Sequence, residues 1–217
     1  MRLFSILFLV SLTPASAQSL DGLYLQMKFA FGNFQETHYF FTPDGQYLKD
    51  VPEGGLTATD LGRACARQPS ECGNYRATAT ILELTPRKGQ PETVTIERTG
   101  DGNLKINGTF AKRVAKFPAD TKLDGNYSRI GNAGRVSAAR SYTFKPDGAF
   151  TASALGGVTT TQGTASSRSS VSGSYRLSGN VLELTADGRT TKIVAYPYDL
   201  GKGDVRLNLD GEFFRKQ

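Results

Sequence analysis

From residue 20 onward, apolar side chains return at every second position rather than every third or fourth. Tyr39 and Phe41, Leu82 and Leu84, Val94 and Ile96, and Leu104 and Ile106 form such pairs, as do Tyr142 and Phe144, Leu182 and Leu184, Ile193 and Ala195, and Leu207 and Leu209. A period of two is that of a strand with one buried face. Between the runs stand PDG, SGN and ADG, which supply the turn chemistry of short hairpins, with glycine at positions that need positive φ. The pattern predicts antiparallel meanders, with at most a short turn of helix over residues 58–66.

The strand pattern is written twice. LDGLY at Leu20 returns as LDGNY at Leu123, YFFTPDGQY as YTFKPDGAF, CGNYRAT as SGSYRLS, ILELT as VLELT, and LKINGTFAKR as LNLDGEFFRK, always in the same order. The chain therefore reads as a leader over 1–17, a first repeat over 18–113, a linker over 114–122 and a second repeat over 123–217, with about 95 residues in each module. Each repeat contains six to eight strands. Pairing its first strand (LDGxY) with its last (GxFxK) closes it into a barrel and removes the exposed sheet edges. Each holds both halves of that closing pair, so each is expected to fold alone. The fold class is all-β: two tandem antiparallel meander barrels.

Three stretches, FKPDGAF, GSYRLSGNVLELTADGR and AYPYD, carry a resemblance, with shorter echoes in the first repeat. They resemble the lipocalin-like, calycin-type small β-barrels of bacterial exported proteins. These motifs are turn and core residues, so the resemblance implies a fold and no specific activity. It also suggests a carrier of a small apolar ligand. Against this, small barrels of eight or fewer strands are close to the size that their own side chains fill.

Residues 1–17 read as a secretory signal peptide: Arg2, an apolar run of about ten residues, then Ala15 and Ala17 ahead of the cleavage point. That run is too short to cross a bilayer, which takes about 20 residues, and no later segment is longer, so no membrane span is expected. The expected location is periplasmic or extracellular. There, Cys65 and Cys72 are expected to form a disulfide, since no histidine or further cysteine stands near them to complete a metal site. The net charge is +6, from 26 basic and 20 acidic residues spread along the chain. A nucleic-acid partner would want a concentrated basic patch, so none is expected.

Candidate chemistry is sparse, and no cofactor or metal is expected. The shared glycines Gly45/Gly148, Gly73/Gly173 and Gly108/Gly211 read as turns or close strand approaches. Glu83 and Glu183 sit between inward leucines and point outward, where surface pairing is the simpler reading than general acid–base work without a partner. His38 is the sole histidine and lacks a nucleophile motif, so it reads as an edge-strand residue. No catalytic residue is assigned.

What differs between the repeats is the loop after the third strand. In the first repeat it is VPEGGLTATDLGRACARQPSEC, ordered by its cross-link, with Arg63, Arg67 and Glu71 as the candidate partner-binding residues. In the second it is LGGVTTTQGTASSRSSVS, expected to be mobile. The expected function is a non-catalytic exported binding protein that presents loops to an unidentified protein or envelope component. The alternative is the carrier of a small apolar ligand.

Overall fold

The computed structural model describes residues 19–30, 33–133, 136–160, 163–199 and 205–217. The expected signal peptide lies outside the described residues. The first repeat contains β1 (Gly22–Ala30), β2 (Asn33–Phe41), β3 (Gln46–Leu48), α1 (Ala58–Arg67), β4 (Cys72–Ala77), β5 (Ile81–Pro86), β6 (Glu92–Arg98), β7 (Leu104–Ile106) and β8 (Thr109–Arg113). The second contains β9 (Gly125–Ala133), β10 (Val136–Phe144), β11 (Ala149–Thr160), β12 (Gly163–Ser178) and β13 (Val181–Ala186). It ends with β14 (Arg189–Asp199), β15 (Val205–Leu209) and β16 (Glu212–Lys216). Each set of eight strands closes into an antiparallel barrel. The closing pairs are those the repeat implied: Tyr24 opposite Arg113 and Leu25 opposite Lys112 in the first barrel, Tyr127 opposite Lys216 in the second.

The twice-written phrase is a fastening. The Tyr75 hydroxyl lies 2.7 Å from the Leu20 carbonyl and 3.0 Å from that of Thr42, and it accepts the Leu20 N–H at 2.8 Å. The Tyr175 hydroxyl repeats this with the carbonyls of Leu123 (2.9 Å) and Lys145 (3.0 Å). The backbone N–H groups of Tyr75 and Tyr175 each donate to the PDG glycine, Gly45 or Gly148, at 2.7 Å. Tyrosine, turn and chain start are thus tied at one point in each barrel. The strands cross most closely at Gly73 and Gly173, where an added Cβ would stand 2.0 Å from the carbonyl oxygen of Thr85 or Thr185.

Both interiors are filled. Tyr24, Phe41, Tyr47, Leu82, Leu84 and Leu104 pack inside the first barrel, and Phe144, Phe150, Leu182, Leu207 and Phe214 inside the second. Aromatic rings stack in the same way in each, Phe41 meeting Tyr75 edge-on at 5.0 Å and Phe144 meeting Tyr175 at 5.0 Å.

A third core joins the barrels. Leu23 of β1, Phe40 of β2, Leu48 of β3 and Leu61, Ala64 and Cys65 of α1 pack with Val194 and Tyr196 of β14; Tyr198 and Phe213 border them. These residues occupy the outer faces of both barrels, so β1, β2 and β14 are apolar on both sides. The linker is held as well: Val114 N–H donates to the Leu23 carbonyl, Phe117 N–H to that of Gly179, and Asn180 Nδ2 to that of Ala115.

Two expectations are corrected here. His38 is not an exposed edge residue: it is buried between the barrels, its Nε2 hydrogen-bonded to the Tyr196 hydroxyl at 2.6 Å. The Ser/Thr-rich segment of the second repeat is not a mobile loop. β11 and β12 pair continuously from Ala149 opposite Ser174 to Thr160 opposite Gly163, so each strand supplies the cross-strand partners that order the other.

Candidate functional site

The segment between β3 and β4 is ordered from three directions. Thr57 caps α1: Asp60 N–H donates to its Oγ1 at 3.2 Å, and Thr57 N–H donates back to the Asp60 carboxylate at 3.3 Å, a reciprocal capping box. Leu61 and Ala64 anchor the helix in the shared core. The Cys65–Cys72 disulfide ties its last turn to β4, with the two Cα atoms 5.4 Å apart. Gly55 leaves room for the cap, since a Cβ there would lie 2.9 Å from Asp60 Oδ2. Burial alone would push the Asp60 carboxyl up, but hydrogen bonds from Thr57 and Arg63 outweigh it and hold the pKa below the usual aspartate value.

Helical geometry places Arg63 and Arg67 on the side of α1 away from Leu61, four residues apart and adjacent on one face. Arg63 pairs with Asp60, and Arg67 with Glu53 at 2.9 Å; both guanidinium groups are largely exposed. Glu71 stands apart from them. Its carbonyl accepts the Lys49 N–H at 2.8 Å, and its carboxylate accepts from the Ser70 hydroxyl at 3.4 Å. Glu71 therefore shapes the loop, while the arginines face solvent.

The arginines also line a cleft of about 530 Å³ between the barrels, with Glu53 and Gly54 on one side and Thr190, Lys192 and Asp210 on the other. Lys192 pairs across strands with Glu183 at 2.8 Å. Asp210 accepts the Val194 N–H at 2.9 Å. Burial of its carboxyl pushes its pKa up to about 6 against that hydrogen bond, with further help from Glu53, Glu212 and Asp50. The cleft thus offers three cations, each held by a carboxylate of this chain. A partner's carboxylates can exchange into such pairs, because Arg presents a planar fork of donors and spends only part of it on one acid.

Among the described residues no group of three or more His, Cys, Asp or Glu side chains could hold a metal. Burial lowers the His38 pKa to about 4, with Asp50 opposing, so the imidazole is neutral, and Tyr196 beside it is raised by burial and stays protonated. Glu183 pairs with Lys192, and Glu83 lies opposite Arg76, as surface pairing requires. Sequence reasoning missed Glu53, Lys192, Asp210 and the His38–Tyr196 contact. The available signal was the unbroken apolar run IVAYPY at 193–198, which marks a strand covered on both faces.

Among the described residues no helix is long and apolar enough to cross a membrane. In comparison with known proteins, the chain matches no protein-family model, no curated protein and no solved structure.

Proposed function

We propose that this protein is a non-catalytic exported binding protein, and that α1 with the cleft beside it is the surface it offers to another macromolecule, an envelope component or a secreted enzyme. One observation carries the reading: a helix fixed by a capping box, a disulfide and a buried leucine presents Arg63 and Arg67 outward beside an open cleft. A loop ordered before its partner arrives avoids the entropy cost of ordering on binding. The disulfide and the leader over 1–17 support export. The lipocalin-like assignment rests on FKPDGAF and GSYRLSGNVLELTADGR together with the eight-stranded closure. Carriage of an apolar ligand inside a barrel is the weaker reading, since aromatic and leucine side chains occupy both interiors.

The test is photo-crosslinking in the native envelope from a benzophenone amino acid placed at Arg67 and, as a control, at the exposed Arg76, further along β4 from the disulfide. A discrete adduct from position 67 alone is expected. Calorimetry on the captured partner should then show weaker binding for Arg63→Ala with Arg67→Ala, by about tenfold if one charge-assisted contact is lost. Equal adducts from both positions, or an unchanged affinity, rule the assignment out.

A further inference from the structure

The two barrels are built alike but end differently at the rim of β1–β2 and β9–β10. Tyr24 opposite Tyr39 in the first barrel corresponds to Tyr127 opposite Tyr142 in the second. One inward step toward the rim, the first barrel has Gln26 opposite Thr37, and the second has Arg129 opposite Arg140. Gln26 closes its rim neutrally, its Nε2 donating to the carbonyls of Ile106 (3.0 Å) and Thr109 (3.3 Å). In the second barrel the place of Thr109 is taken by Glu212, which accepts from Arg129 at 2.6 Å and from Arg140 at 2.9 Å. Two guanidinium groups share one carboxylate there. Glu36 of β2 also feels Arg129, and Tyr142 feels Arg140.

The wall behind these arginines differs too. In the first barrel β3 stops at Leu48 and the chain turns aside into α1. In the second, β10, β11 and β12 run on past the end of β13, leaving a concave face above the filled core. Strand register places the inward side chains in rows. Tyr142, Ala152 and Val171 share one row, and Arg140, Ala154 and Ser169 the next. Beyond these, Ala138, Gly156 and Ser167 bring nothing larger than a serine. The six residues of the first two rows line a hollow of about 250 Å³. Its floor is Tyr142, stacked on Phe144 at 5.9 Å and edge-on to Phe214 at 5.3 Å. Val171 points into the hollow and is more than one-third exposed.

We propose that this concave face binds a small organic anion, its acidic group on Arg140 and Arg129 and its apolar body against Tyr142, Ala152 and Val171. The hollow is smaller than the roughly 300–1,000 Å³ of a drug-sized site, so the ligand is small. Arginine supplies the geometry, since its planar fork matches a carboxylate or sulfonate and only one nitrogen of each is spent on Glu212. The site is separate from α1 and does not depend on the partner assigned there.

Titration of the full chain with benzoate, and with benzamide as its neutral match in shape, tests this by NMR shifts of the Ala152, Ala154 and Val171 methyl groups. Benzoate is expected to bind about tenfold more tightly than benzamide, and Arg140→Gln should remove that preference. Glu212→Gln, which frees both arginines from their competing carboxylate, should tighten benzoate binding. Equal affinity for the two probes, shifts that spread away from these methyl groups, or an unchanged benzoate affinity in Glu212→Gln would overturn the proposal.

Discussion

At the scale of single residues, the position most sensitive to conditions is His38. It is neutral and buried in the folded chain with a pKa of about 4, against 6.5 when exposed. Between these values the unfolded chain holds a proton that the folded chain does not, so stability falls as pH drops through that window. The gap corresponds to about 3 kcal/mol. Asp210 acts with the opposite sign: its folded pKa of about 6 exceeds 3.8, so acid favours the folded form there. Its side chain is exposed enough for water to shrink that effect. The urea midpoint is therefore expected to drop between pH 7 and pH 4.5, and to drop less in His38→Gln. Equal slopes for the two proteins would show that His38 is not the titrating group. Gly73 makes a steric prediction. With a Cβ only 2.0 Å from the Thr85 oxygen, Gly73→Ala must move backbone, and it should cost at least about 3 kcal/mol or prevent folding.

Among elements, α1 is the one whose stability is most easily tuned. Replacing both cysteines by serine should cost about 2.5 kcal/mol, the chain-entropy value for so short a closed loop. The far-ultraviolet helical signal should weaken before the strands melt, since the barrels are closed by other residues. Gly62 predicts the reverse. It lies within the helix with nothing inside 4 Å of an added Cβ, so Gly62→Ala should stabilise by about 0.5–1 kcal/mol in urea titration. A loss of stability on that substitution would mean that the helix meets a neighbour at Gly62. The β11–β12 hairpin occupies the matching place in the second barrel, so one position in the module carries a cross-linked helix in one copy and a long pair of strands in the other.

For the whole molecule, the shared core decides how independent the barrels are. Each closes on its own first and last strands, so residues 18–113 and 123–217 should both form sheet when separated. Separation uncovers Leu23, Phe40 and Leu61 on one side and Val194 and Tyr196 on the other. Each large side chain of this kind contributes roughly 1.5–3 kcal/mol when buried. The halves should therefore be less stable apart and combine one to one when mixed, as sedimentation velocity would read. Two monomeric halves that ignore each other would show that the third core contributes little.

The sequence by itself determined the repeat, the strand period, the closing pairs, the hairpin turns and the disulfide. These depend on neighbours along the chain or on a period of two, and both are visible in one dimension. It also located the segment holding Arg63 and Arg67. Only the tertiary structure decided that the outer faces of β1, β2 and β14 meet, because alternation reports one buried face and a second buried face erases the alternation it would need. The unbroken run at 193–198 carried that information without naming its partner. His38 could be placed only once Tyr196 was opposite it, 158 residues further along the chain. The Ser/Thr-rich segment misled for a related reason: its composition resembles a linker, while the pairing that orders it is made by residues of β11 across the hairpin. Cross-strand partners, not intrinsic propensity, made it a wall of the barrel.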